Sequence, residues 1–167
     1  MDACITVARA DIQSPAAQVL IAALNEELSR MYPEPGATHF RVDADEVAEG
    51  RGTFLIATQG GRAIACGALR RIDNGVGEIK RMYVVPEERG RGISRVVLAA
   101  LEDEARTLGL SRLLLETGIR QSAAIALYER SGFQRIPAYG EYVMSPETSV
   151  CMAKDLTASR AGASTRA

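Results

Sequence analysis

Between an apolar run ending at Val84-Val85 and an amphipathic run beginning at Ile93, the chain reads Pro86-Glu87-Glu88-Arg89-Gly90-Arg91-Gly92. A proline that stops a strand, followed by a Gly-rich turn that opens a helix, forces strand and helix to meet at that turn. The first N–H groups of a helix lack intrahelical acceptors and lie at the positive end of its macrodipole, so the turn is a candidate site for phosphates. Gly90 and Gly92 let a di-anion approach the backbone, and Arg89, Arg91 and Arg95 add cationic side chains around it. A plain surface loop is the alternative. No Lys-Ser or Lys-Thr follows the glycines, as a nucleoside-triphosphate loop requires, and the spacing is not the dinucleotide pattern Gly-x-Gly-x-x-Gly.

Around this turn the periodicity alternates between strand and helix. Residues 3–8 predict a strand. Ser14-Pro15 opens a helix with Val19, Leu20, Ala23, Leu24 and Leu28 at helical spacing, up to a break at Pro33. Residues 31–43 form an irregular loop or short helix, and 43–50 a helical turn. Strands over 53–58 and 62–71 flank Gln59-Gly60-Gly61, and Asn74-Gly75 marks a hairpin into a strand over 76–85. A helix over 92–108 closes at Gly109; a buried strand over 111–116, a helix over 121–130 and a final strand over 150–156 follow. Strand, crossover helix, strand is a right-handed βαβ-type unit that puts the Arg/Gly turn at the carboxyl end of a strand. Residues 1–156 read as one domain, and 157–167, rich in Ala, Ser, Thr and Arg, as a disordered tail.

Arg89-Gly90-Arg91-Gly92-Ile93-Ser94 resembles the pyrophosphate loop of the GNAT superfamily of N-acetyltransferases, Arg/Gln-x-x-Gly-x-Gly/Ala after a strand, with Ser94 where the family has Gly or Ala. Downstream, Ala124-Ile125-Ala126-Leu127-Tyr128-Glu129-Arg130-Ser131-Gly132-Phe133 resembles the family's second signature, Ala-x-x-Leu-Tyr-x-x-x-Gly-Phe. Two signatures in order are far more specific than either alone, and the resemblance covers roughly residues 50–155. It implies an α/β (mixed α+β) fold: a central mixed, mostly antiparallel twisted sheet of six to seven strands flanked by about four helices. It also implies transfer of the acetyl group of acetyl-CoA to a primary amine by direct attack.

The same resemblance assigns roles. The pyrophosphate lies on Arg89, Gly90, Arg91, Gly92, Ile93 and Ser94, and the pantetheine extends beside Met82, Tyr83 and Val84, where the family's sheet splays apart. An N–H near Val84 would polarise the thioester carbonyl. Tyr128 matches the family's general acid, although a phenol at ~10 giving its proton to a thiolate at ~8.5 is uphill by roughly 2 kcal/mol, which favours hydrogen bonding over full transfer. Two carboxylates are candidate bases: Glu78, six residues before Val84, slightly preferred, and Glu116 at the end of the following strand. Gln121 stands where many relatives carry a cofactor-contacting asparagine. Each of these residues also has a structural reading, as a core tyrosine or a strand-end carboxylate.

The acceptor site is expected from the loop 31–43 and the segment 137–148, which bring Tyr32, Phe40, Tyr139 and Tyr142 to one edge. Arg41 and Arg120 read first as two solvated arginines, with receipt of a substrate carboxylate, which would point to an amino acid or similar small amine, as the functional alternative; Glu34 and Glu141 would equally suit a polyamine. A peptide or protein N-terminus or lysine is the enzymatic alternative, and a non-catalytic acyl-CoA sensor the alternative outside enzymes.

With 47 % hydrophobic and 25 % charged residues, the 167-residue chain supports one core. A net charge of -1 leaves no electrostatic footprint for nucleic acid. Cys4, Cys66 and Cys151, odd in number and set in apolar surroundings, read as reduced, buried residues of a cytoplasmic protein. His39 is the only histidine, so no metal centre is expected, and no apolar run approaches the ~20 residues of a membrane span. An exposed strand edge or the C-terminal strand offers a surface for a homodimer.

Overall fold

A computed structural model describes residues 3–34 and 42–156. Its strands and helices run β1 (Thr6–Arg9), α1 (Pro15–Met31), β2 (Gly52–Gln59), β3 (Arg62–Asp73), β4 (Val76–Val84), α2 (Ile93–Thr107), β5 (Arg112–Gly118), α3 (Ser122–Arg130), β6 (Gln134–Ile136) and β7 (Ser149–Asp155). Short 3-10 turns cover Ala44–Val47, Pro86–Glu88 and Gly140–Met144. The seven strands form one sheet in the order β1-β2-β3-β4-β5-β7-β6, and only β4 and β5 are parallel. That is the mixed, mostly antiparallel sheet expected, with three α-helices among the described residues where about four were anticipated.

Both faces of the sheet are covered, so β2 reads as a continuous apolar run instead of an alternating one. Phe54 and Ile56 pack with Ala17, Leu20 and Leu24 of α1. Leu55 and Ala57, pointing the other way, pack with Ile93, Val97, Leu98, Leu101 and Ala105 of α2. Ser14 caps α1 by accepting the Ala17 N–H at 3.3 Å, with Pro15 in the first turn, where a missing N–H costs nothing. Val19 lies 69 % exposed, because the buried stripe Ala17–Leu20–Leu24 leaves it about 100° round the helix from Leu20.

The feature that shapes the site is in β4. Its pairing with β5 runs from Val76 opposite Arg112 to Ile79 opposite Leu115 and stops there. Against β3 the register slips between Cys66 and Ala68, and at the same place Arg81 takes φ 60, a left-handed backbone rare outside glycine. Such a bulge bends and twists the strand, so Lys80–Val84 swing away from β5 while Glu116–Gly118 stay paired with β7. The two parallel strands therefore fork. Burial of Arg81 holds the bulge: its guanidinium donates to the Asn25 side chain and to the Ile21 carbonyl of α1.

Several expectations change. Cys4 is exposed, ahead of β1, whereas Cys66 and Cys151 are buried; all three are free thiols. The C-terminal strand β7 lies between β5 and β6, so the sheet's edges are β1 and the three-residue β6, too short and polar to signal itself in sequence. Phe40, Arg41, His39 and the tail 157–167 lie outside the described residues. Among the described residues no helix is long and apolar enough to cross a membrane.

Leu101 is fully buried where α2 crosses the sheet. Leu101→Ala should cost about 2–5 kcal/mol of unfolding free energy, which for a domain of this size lowers Tm by roughly 5–15 °C in a thermal melt.

Candidate active site

The Arg/Gly turn joins the end of β4 to α2. Gly90 and Gly92 have φ of 80 and 78, and nothing lies within 4 Å of where a Cβ would stand at either. Backbone conformation, not crowding, is therefore what demands glycine at these two positions. Gly92 is the N-cap of α2 and offers no side chain to its first-turn N–H groups, so the amides of Ile93, Ser94 and Arg95 are presented outward. The arginines are arranged differently from the expected phosphate clamp. Arg89 donates from Nε to the Val84 carbonyl at 2.9 Å, pairs with Glu27 at 2.9 Å and stacks over Tyr83 at 5.5 Å. Arg91 pairs with Glu88 and contacts Gln59 at 3.2 Å. Backbone N–H groups and the helix dipole are the anion ligands at the turn itself, with Arg89 and Arg91 bracing it against α1 and the preceding 3-10 turn, while Arg95 lies exposed in the first turn of α2.

The fork between β4 and β5 opens a cleft of about 110 Å³. Lys80, Arg81 and Met82 of β4 line one side, Glu116, Thr117 and Gly118 of β5 the other; Gln121, Ala124 and Tyr128 of α3 line it as well, with Tyr32 and Tyr142. Beyond Ile79 the β4 edge facing β5 has no strand partner, so its peptide groups are available to an extended ligand as an added strand would use them. Gln121 accepts the Gly118 N–H at 2.8 Å through Oε1 and so fixes the turn from β5 into α3.

The two candidate bases occupy different environments. Glu116 lines the cleft, and burial pushes its carboxyl up to about 7; the Ser149 hydrogen bond and Lys80 oppose that rise, whereas Glu78 and Glu141 add to it. Glu78 is 1 % exposed and is not among the cleft residues. Its Oε1 receives Arg70 Nε at 2.8 Å and Nη2 at 2.7 Å, and its Oε2 receives the Tyr139 hydroxyl at 2.5 Å. Spacing along one strand could not separate these cases, because which carboxylate meets the cleft depends on where β4 leaves β5.

Tyr128 reaches the cleft from α3, its ring edge-on to Phe133 at 5.8 Å. Burial, and secondarily the charge of Glu116, hold its phenol above the ordinary range, so it is a protonated hydrogen-bond donor across physiological pH. Tyr83 packs in the cluster under α1 and is not among the residues that line the cleft, so its contribution there is its backbone. Of the expected acceptor residues, Tyr32 and Tyr142 line the cleft and Tyr139 lies behind it. Arg120 is turned to Glu34 in an ion pair, donates to the Met31 carbonyl at 2.8 Å and covers the Tyr32 ring at 5.1 Å. A substrate carboxylate would have to displace Glu34 to use it. Lys80 and Thr148 are cleft residues that the sequence reading did not single out. The signal was present: Lys80-Arg81 interrupts an otherwise apolar central strand, and charged residues are rarely buried there without a task. Among the described residues no cluster of three or more His, Cys, Asp or Glu could hold a metal ion.

Comparison with known proteins agrees with this geometry. The acetyltransferase (GNAT) family model matches residues 20–133. The chain is 39 % identical over 153 residues to the "IAA acetyltransferase" of Azospirillum brasilense, covering 91 % of this chain and 98 % of that one. Among solved structures, a Klebsiella pneumoniae protein described as an acyl-CoA N-acyltransferase superposes with a TM-score of 0.79 at 35 % identity, covering 91 % of this chain and 97 % of that one. N-acetylglutamate synthase from Neisseria gonorrhoeae, solved with coenzyme A and N-acetyl-glutamate, shares the fold at TM-score 0.69 and 24 % identity, over 93 % of this chain and 36 % of that one. The forked sheet, the Gly-rich turn at the head of α2 and these matches together place the chain in the acetyltransferase (GNAT) family, as an acetyl-CoA-dependent N-acetyltransferase.

Proposed function

We propose that the protein acetylates the primary amine of a small molecule by direct attack on acetyl-CoA, with Glu116 as general base and Tyr128 as donor to the leaving thiolate. The observation that carries this reading is that both side chains line one cleft, at the point where β4 parts from β5. The residues present fit the co-substrate: the α2 N-terminus suits the pyrophosphate, and the unpaired edge of Lys80–Val84 suits the pantetheine amides. The amine nitrogen bonds to the acyl carbon, the carbon–sulfur bond breaks, the ammonium proton passes to Glu116, and Tyr128 hydrogen-bonds the departing sulfur.

Energetics favour Glu116. An ordinary carboxylate at ~4.3 taking a proton from an α-ammonium at ~7.8 faces nearly 5 kcal/mol, and from a lysine-like ammonium at ~10.4 about 8 kcal/mol. With Glu116 at about 7, these steps fall to roughly 1 and 5 kcal/mol. An amine of low basicity is thus well matched to this base at neutral pH.

Calorimetric titration with acetyl-CoA, then thiol release against amino acids, polyamines, peptides and IAA, tests the assignment directly. Tight binding with turnover on one small-amine class is the expected result; turnover confined to peptides would move the acceptor to a protein N-terminus, and binding without turnover would favour a sensor.

Because the base must be ionised to accept a proton, kcat/KM should be lost as pH falls through about 7. Glu116→Gln should lower kcat about 10²–10⁴-fold and shift the midpoint up to the acceptor's own pKa. Burial raises the Glu116 pKa in the folded state, so the ionised carboxylate weakens the fold as pH rises from the unfolded value towards about 7. Glu116→Gln should accordingly raise Tm at pH 8 and leave it unchanged at pH 4, which separates lost chemistry from lost structure.

Tyr128→Phe removes one hydrogen bond to a developing charge. Its kcat should fall about 10–100-fold with acetyl-CoA affinity unaltered, as read by single-turnover kinetics beside calorimetry.

A further inference from the structure

Glu78 is a buried carboxylate for which the proposed reaction has no use, and it sits at the centre of a connected polar network. Arg70 of β3 grips it through Nε and Nη2, and Arg70 Nη1 extends the chain to Glu46 at 2.8 Å. From the opposite side the Tyr139 hydroxyl donates to Oε2 at 2.5 Å, and the Tyr142 hydroxyl bonds the same carboxylate. Tyr139 is the N-cap of the 3-10 turn Gly140–Met144 and Tyr142 lies within it: their rings meet edge-on at 5.2 Å, and the Tyr142 N–H donates to the Tyr139 carbonyl at 3.0 Å.

That turn has no side-chain cap, and 3-10 turns this short have little stability of their own. Its position is decided by what holds the two tyrosines. Tyr142 is also a wall of the cleft, with the Lys80 ammonium 5.9 Å from its ring centre and Lys80 paired to Glu141 of the same turn at 3.3 Å. The carboxylate is thus tied on one side to a rigid strand and on the other to the segment that bounds the acceptor end of the cleft. Its two oxygens are engaged by donors, which leaves it poorly placed to receive a substrate proton.

We propose that Glu78 is a positioning residue that, braced by Arg70, fixes the Tyr139–Tyr142 turn as the acceptor-side wall and so sets acceptor affinity. This rests on the reading of the cleft as the transfer site with Glu116 as its base. Loss of the carboxylate frees the turn to move, and the acceptor meets a wall no longer held in place. Acetyl-CoA, bound along β4 and the head of α2, keeps its contacts.

The test uses the full chain with Tyr139→Phe and Glu78→Gln, assayed on the amine that the wild type turns over best. In both variants the acceptor KM should rise about tenfold, the effect of one lost charge-assisted hydrogen bond, while the acetyl-CoA KM stays within about twofold. The loss of kcat/KM below pH about 7 should persist, since Glu116 is untouched. Hydrogen exchange should quicken at amides 139–145 and not across α2. An unchanged acceptor KM or unchanged exchange in Tyr139→Phe overturns the proposal, as does disappearance of the pH limb in Glu78→Gln, which would make Glu78 the proton acceptor. Tyr139→Phe keeps the Arg70–Glu78 pair intact, so it decides the matter even where Glu78→Gln does not fold. Should the wild type acetylate no amine at all, the transfer reading fails by itself, and the exchange data alone decide the role of Glu78.

Discussion

The site depends on the termination of one ladder. β4 and β5 pair for four residues and then part, because the register slip opposite Gly67 and the left-handed Arg81 turn β4 away. A left-handed non-glycine residue costs of order 1–2 kcal/mol, here offset by a buried guanidinium anchored on α1 through Asn25 and Ile21. Gly67 serves the same place: a Cβ there would press on Leu101 and Met82 at 2.8 Å. The fork exposes an unpaired strand edge inside the protein, and the sequence before and after it supplies the turn for phosphates and the carboxylate for proton transfer.

Two glutamates on neighbouring strands illustrate how environment divides roles. Glu116 is partly buried at the cleft wall, and there burial outweighs the opposing Ser149 hydrogen bond and Lys80 charge and raises its affinity for a proton into the useful range. Glu78 is more deeply buried, paired with Arg70 and hydrogen-bonded by the Tyr139 phenol, which makes it a fixed strut. Residue type is the same in both; partner and solvent access are what differ.

The Arg/Gly turn shows a related division between side chain and backbone. Arg89 and Arg91 spend their hydrogen bonds on Glu27, Glu88 and the Val84 carbonyl, so they rigidify the turn and leave phosphate contact to oriented amides and to the exposed Arg95. Preorganised donors of this kind need little rearrangement when an anion arrives, a condition for strong electrostatic binding. Ser94, in the first turn of α2, adds another N–H to that set without disturbing the helix start.

Elements whose signal is local were legible in the sequence. The Gly-rich turn, α1 from its Ser14-Pro15 entry, the hairpin at Asn74-Gly75 and the helix bearing Tyr128 all appear close to where periodicity and caps put them. The alternation of strand-like and helix-like runs along the chain likewise pointed to an α/β layer structure that buries them. Other features answered only to tertiary structure: β6 forms because β7 offers it an edge, Val19 is exposed because the α1 stripe runs one way round, and Cys4 stays outside the first ladder. The choice between Glu78 and Glu116 belongs to the same class. Both lie on apolar strands with nothing nearby in sequence to tell them apart; the point at which two strands separate in space gives one of them a cleft and the other an arginine.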